Sequence, residues 1–224
     1  MGTTIRDMML ASPLPLGPRD TAEYALGLLM ELRVRHFPVV DAEGLLLGIV
    51  SEEHILESAA GPDAEIAGVP DLAPLSVPPD AHLFEAAKIL VGRDLTTLPI
   101  VDETGRYAGL IRRNDLFEQF AAMLSTQEAG AIVALEEDPD SYSMSQLVHA
   151  IEQNDIRILS VVCERPQTPG GKTRVTLKLN VQSASRVRHL LEHYGYHVVA
   201  VFSDDSVDEE MQWRAEEFLR YLEA

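Results

Sequence analysis

His36-Phe-Pro-Val-Val-Asp41 and Thr97-Leu-Pro-Ile-Val-Asp102 carry one pattern at an offset of 61 residues. The offset holds without a gap on both sides. Pro18 falls on Pro79, Ala25 on Ala86, Pro38 on Pro99, Asp41 on Asp102, Gly44 on Gly105 and Gly48 on Gly109. Proline fixes one backbone angle and glycine frees both. Their agreement on a single offset therefore marks a supersecondary unit used twice.

Outward from these stretches, each copy reads alike. A proline-rich extended lead precedes an amphipathic helix, expected over 22–32 and again over 83–91. Ala25, Leu28, Leu29 and Leu32 share one face of the first; Ala86, Ala87, Ile89 and Leu90 are the buried candidates of the second. A strand follows (37–40; 98–101), then a turn in which Gly44 and Gly105 suit a positive φ. A second strand (45–50; 107–111) leads into a second helix near Glu52 and Asn114. The unit is β-α-β-β-α, twice.

After residue 125 the pattern changes. Strands are expected over 131–135, 158–163, 174–179 and 197–202, with helices over 143–152 and 183–194. The order βαββαβ is ferredoxin-like. A last amphipathic helix is expected over 208–222, carrying Met211, Phe218, Leu219 and Leu222. The fold class is thus α/β (α+β), divided as 1–62, 63–125, 126–204 and an acidic helix over 205–224.

Charge and composition limit the partners. Thirty-six acids against eighteen bases give a net charge of −18, a field that opposes nucleic acid and anionic membranes. No apolar run reaches the roughly eighteen residues of a membrane span. The single cysteine, Cys163, excludes a disulfide framework; it lies in an apolar strand and is expected to be a small core residue. The expected compartment is the cytoplasm. Any anionic ligand must be held by specific local cations.

The opening Thr4-Ile-Arg-Asp-Met-Met9, the two Pro-hydrophobic-Val-Asp strands and the segment Gly-hydrophobic-x-(Ser/Thr)-x-x-Asp resemble the CBS domain, and the tandem over about residues 4–122 resembles a CBS pair. The ferredoxin-like segment behind it resembles an ACT-type regulatory domain, as in proteins similar to the acetoin-utilisation protein B family. Amino-acid-binding ACT domains usually have a glycine after the first strand; here that loop is Glu136-Glu-Asp-Pro-Asp-Ser141. The resemblance implies a non-enzymatic, energy-sensing regulator. It binds an adenine nucleotide (AMP, ADP, ATP) or S-adenosylmethionine between the repeats, pairs as a homodimer and acts on a partner protein. It implies no cofactor beyond that ligand.

Each copy of the site segment is half intact. Gly48-Ile-Val-Ser-Glu-Glu-His54 keeps the hydroxyl at Ser51 but has His54 where the acid is expected. Gly109-Leu-Ile-Arg-Arg-Asn-Asp115 keeps Asp115 but has Arg112 in place of the hydroxyl. A carboxylate there is placed for ribose hydroxyls, as in other nucleotide sites. Arg112 and Arg113 supply charge for phosphate. Thr97 and Leu98 match positions that frame the base. In the first copy Ser51, His54 and His36 are the candidates, with Arg33 and Arg35 nearby. The competing readings are a helix cap at Ser51 and an ion-pair cluster of Arg112, Arg113 and Asp115. A scaffold for dimerisation and partner binding that holds no ligand is the rival function. His189-Leu-Leu-Glu-His193 fits a zinc-peptidase string, but its apolar stripe Val187, Leu190, Leu191 and Tyr194 turns both histidines toward water. No catalytic or metal residue is expected.

Overall fold

A computed structural model describes residues 4–10, 14–58, 60–66, 74–139, 142–166, 168 and 170–203. The chain divides into two compact units, Met1–Gln119 and Phe120–Ala224. The helix expected over 208–222 lies outside the described residues, as do Asp140 and Ser141 of the acidic loop.

In the first unit the repeat unfolds as expected from the offset. Helix α1 spans Ala22–Leu32, strand β1 His36–Val40, β2 Leu46–Ser51 and α2 Glu52–Ser58. Their counterparts are α3 Leu83–Gly92, β3 Thr97–Val101, β4 Tyr107–Arg112 and α4 Arg113–Met123. The same local devices recur. The Thr21 hydroxyl caps α1 by accepting from the Tyr24 N–H, and His82 caps α3 by accepting from Phe84. At the hairpins Gly44 and Gly105 take φ of 82° and 81°. Asp41 and Asp102 brace these loops: Asp41 Oδ1 accepts from Glu43 and Leu45, and Asp102 Oδ1 from Thr104 and Arg106.

Two features differ from the expected unit. The lead strand shrinks to one parallel bridge in each repeat, Leu16 with Val39 and Val77 with Ile100. The chain also crosses over. Thr4 bridges His82 of the second repeat, and Glu65, 61 residues on, bridges Thr21 of the first. Ile5 and Ile66, equivalent by the offset, are both buried. Each repeat is therefore completed by the segment that opens the other, and the two bury a shared core that neither holds alone. Buried Phe37 and Leu98 occupy matching places within it.

The second unit is βαββαβ, as the sequence order implies. Its elements are β5 Ala131–Glu137, α5 Met144–Glu152, β6 Ile158–Glu164, β7 Thr173–Leu179, α6 Ala184–His193 and β8 Val198–Phe202. The sheet order is β6-β7-β5-β8 with every pairing antiparallel, the ferredoxin-like arrangement. Alternate residues Val133, Leu135, Val175, Leu177 and Leu179 meet Leu147 and Ile151 of α5 and Val187 and Leu191 of α6. His189 and His193 are exposed, as their helical phase requires. Cys163 corrects the sequence reading. It is exposed rather than buried, and β6 is the edge strand of its sheet.

Candidate functional site

The candidate residues gather where the two repeats meet. His36 opens β1 and pairs with Ser51 at the end of β2; Thr97 opens β3 and pairs with Arg112 at the end of β4. The two strand starts lock onto each other across the repeat axis. Thr96 Oγ1 accepts from the Arg35 and His36 N–H groups at 2.9 and 3.1 Å. The Thr96 N–H donates to His36 Nδ1 at 3.2 Å, and the Thr96 hydroxyl lies 3.1 Å from the same nitrogen. The Thr97 hydroxyl donates to the His36 carbonyl at 2.7 Å. With Nδ1 accepting from the backbone, the proton of the neutral ring belongs on Nε2. Burial, then the neighbouring Arg35, holds the His36 pKa below the ordinary histidine value; Asp94 opposes and Arg113 adds to the depression.

From this centre two strand-to-helix turns diverge. In the first, Ser51 Oγ accepts from the His54 N–H at 3.1 Å and so begins α2. In the second, Asp115 accepts from the Arg112 backbone N–H at 3.3 Å and from its guanidinium at 2.9 Å (Nε) and 2.6 Å (Nη2). The hydrogen bonds that Arg112 donates to Asp115, ahead of the attraction of its charge, raise the Arg112 pKa. Arg113 turns the other way, donating to the Leu90 carbonyl and to Asp94, each at 3.0 Å. Its Nε is buried with no partner among the described residues. Thr97 and Leu98 are buried at the base of this second turn.

All eight sequence candidates thus fall in one neighbourhood, in two settings. Beside the first turn lies a cavity of about 480 Å³ lined by Arg35, His36, Ser51, Glu52, Arg93 and Asp94. Beside the second, Arg112 and Asp115 are bound to each other. Sequence reasoning missed Thr96, Arg93 and Asp94. The offset held a signal for two of them, since Thr96 answers Arg35 and Asp94 answers Arg33. Among the described residues there is no cluster fit to hold a metal ion, and no helix long and apolar enough to cross a membrane.

One family model matches both copies of the repeat. The CBS-domain model covers residues 5–61 and 66–122. The chain belongs to the CBS-domain family. Its first unit is a CBS pair, two repeats in tandem. Similar proteins include the chloroplastic CBS domain-containing protein CBSX1 of Arabidopsis thaliana, 31% identical over an alignment of 130 positions that covers 44% of this chain and 55% of that protein. A homoserine O-acetyltransferase of Methanococcoides burtonii is 27% identical over 114 residues, 51% of this chain and 23% of the enzyme. The chain therefore spans about half or less of the curated relatives it matches. Among solved structures, CBSX2 in complex with AMP is 24% identical with a TM-score of 0.47, covering 54% of this chain and 98% of that one. A putative acetoin utilization protein of Vibrio cholerae is 31% identical with a TM-score of 0.49, covering 55% and 94%. A CBS domain pair/ACT domain protein of Thermotoga maritima is 20% identical with a TM-score of 0.49, covering 54% and 98%.

Proposed function

We propose that the CBS pair is a non-enzymatic cytoplasmic sensor that binds an adenine nucleotide (AMP, ADP or ATP) or S-adenosylmethionine, and that occupancy is relayed to the ACT-like second unit. The observation that carries this reading is the open cavity beside Ser51, where Arg35 and Arg93 bring positive charge and the neutral His36 ring a hydrogen-bonding group, alongside the carboxylates of Glu52, Glu53 and Asp94. A protein with a net charge of −18 repels anions at long range, so a local group of cations is what an anionic ligand requires. In the second turn, Asp115 is the ribose acceptor and Arg112 the phosphate donor once the Arg112–Asp115 pair opens; Thr97 and Leu98 back the base, and Arg113, turned toward Asp94, stands at the first cleft instead. His54 serves the first turn in the same way. Helix α4 starts at Arg113 in this neighbourhood and ends at Met123, within the stretch assigned to the second unit, which makes it the covalent route of the relay.

The homodimer has its own support. Met30 of α1 is 75% exposed and its counterpart Val91 of α3 is 75% exposed; Leu56 of α2 is 64% exposed and its counterpart Phe117 of α4 is 72% exposed. Large apolar side chains are thus left exposed at equivalent positions of both repeats, material that a self-complementary interface would cover.

Calorimetric titration of AMP, ADP, ATP and S-adenosylmethionine into wild type, Arg35→Ala and Asp115→Ala tests the reading. Saturable binding is expected. A loss of about tenfold or more in Arg35→Ala, near 1.4 kcal/mol, assigns it to the first cleft; the same loss in Asp115→Ala assigns it to the second. The second reading, a scaffold without ligand that binds a partner protein, is favoured by the mutual pairing of Arg112 and Asp115. Absence of binding at millimolar nucleotide together with an intact dimer would establish it.

A further inference from the structure

The repeat supplies its own control for one residue in the first cleft. Asp94 follows α3 at φ 50°, and Arg33, its equivalent by the offset of 61, follows α1 at φ 55°. The backbone is the same and the charge is opposite, so the turn does not demand a carboxylate. At position 94 the carboxylate lies 3.0 Å from the Arg113 guanidinium and 3.8 Å from that of Arg35. It draws one cation from each repeat toward a single anion at the mouth of the cavity, where its side chain is 78% exposed. A carboxylate between two guanidinium groups sits where a ligand's phosphate would be received. Arg113 does not depend on it for position, because the same nitrogen also donates to the Leu90 carbonyl. Removing the carboxylate therefore leaves Arg35 facing the cavity, with Arg113 held in place directly behind position 94.

We propose that Asp94 is a displaceable internal anion of the first cleft. It occupies Arg35 and Arg113 in the empty protein, and a phosphorylated ligand binds by exchanging with it. Asp94 then sets ligand choice: it holds down affinity for phosphate-bearing adenosines and leaves affinity for neutral adenosine unchanged. This inference rests on the nucleotide reading above and adds the residue that tunes it.

The test is titration of AMP and of adenosine into the full-length wild type, Asp94→Asn and Asp94→Glu. Asparagine keeps the shape, tolerates the left-handed backbone and removes the charge; glutamate keeps the charge. The expected result is AMP affinity tightened about fivefold or more in Asp94→Asn, from relief of like-charge repulsion at close range, with adenosine within about twofold and Asp94→Glu close to wild type for both. If wild type binds AMP and Asp94→Asn binds it no better, the Asp94 proposal fails while the nucleotide reading stands. Equal tightening in Asp94→Glu would also overturn it, since the charge would then not be the cause. If none of the three proteins binds AMP or adenosine, the nucleotide reading fails and takes this proposal with it.

Discussion

The two strand-to-helix turns share a backbone and divide one job between them. A helix start leaves N–H groups without partners, and a capping box satisfies two of them reciprocally: a hydroxyl at the cap accepts from the third residue, whose acid reaches back to the cap. The first turn keeps the hydroxyl half, Ser51 accepting from His54. The second keeps the acid half, Asp115 accepting from Arg112. Each half suffices to start a helix, so the remaining position was free to change in each copy. The first copy has His54 in place of the acid, the second an arginine that closes on its own acid. The two turns, each begun by a different half of one hydrogen-bond pattern, are thus chemically distinct.

The core below the turns shows no such division, and the largest expected effect tests that. Phe37 and Leu98 are equivalent and buried, so Phe37→Ala and Leu98→Ala should each lower stability by about 3–4 kcal/mol. Denaturant unfolding followed by far-ultraviolet circular dichroism would show it. A loss below about 1 kcal/mol at either position would mean that the repeats do not share one cooperative core.

The lock between the repeats comes next. Thr96→Val keeps the shape but strips the oxygen that receives the Arg35 and His36 N–H groups. One of these donors is exposed and the other partly buried, so leaving them unpaired should cost about 1 kcal/mol. A thermal midpoint equal to wild type would show that water replaces the hydroxyl without loss.

The third effect is a pH dependence, and its sign follows from His36. The folded state holds this ring neutral with a pKa below its ordinary value of 6.5. The unfolded chain therefore binds the proton more readily, and stability is expected to fall as pH drops below about 6.5 toward the folded pKa. Above that window the contribution is fully present. In His36→Asn the amide oxygen can stand where Nδ1 accepts, and nothing titrates. Its stability curve between pH 7 and 5 should be flatter than that of wild type; parallel curves would assign the acid loss to other groups.

The smallest effect concerns the second turn itself. Arg112→Ser removes a partly exposed ion pair, worth less than about 1 kcal/mol, and restores the hydroxyl half of the cap, worth a similar amount. Stability should stay within about 0.5 kcal/mol of wild type, while Asp115 is released to meet a ligand. A large loss of stability would show that the Arg112–Asp115 pair holds the turn in a way the first repeat does not need.

Much of this was legible in the chain. The offset of 61, the helix starts at Ala22 and Leu83, and the glycine turns at Gly44 and Gly105 rest on local chemistry: periodicity, caps and positive φ. The same holds for the order of elements in the second unit. What escaped was set by contacts between residues far apart in sequence. The exchange of opening segments was invisible, because Ile5 reads equally well as completing its own repeat or the other. The His36–Thr96 lock was hidden, because neither residue signals a partner 60 positions away. Cys163 has the neighbours of a core residue along the chain, yet it is exposed, on the edge strand of its sheet.

At the site the division is the same. Which residue types stand at the two turns can be read along the chain, as can the half of a capping box that each turn keeps. How those residues are spent depends on the fold: Asp115 on Arg112, Asp94 between Arg35 and Arg113, and His36 on Thr96. A side chain's charge is written in the chain. The partner that neutralises it, and hence whether it remains available to a ligand, depends on which other segment the fold brings within about 3 Å.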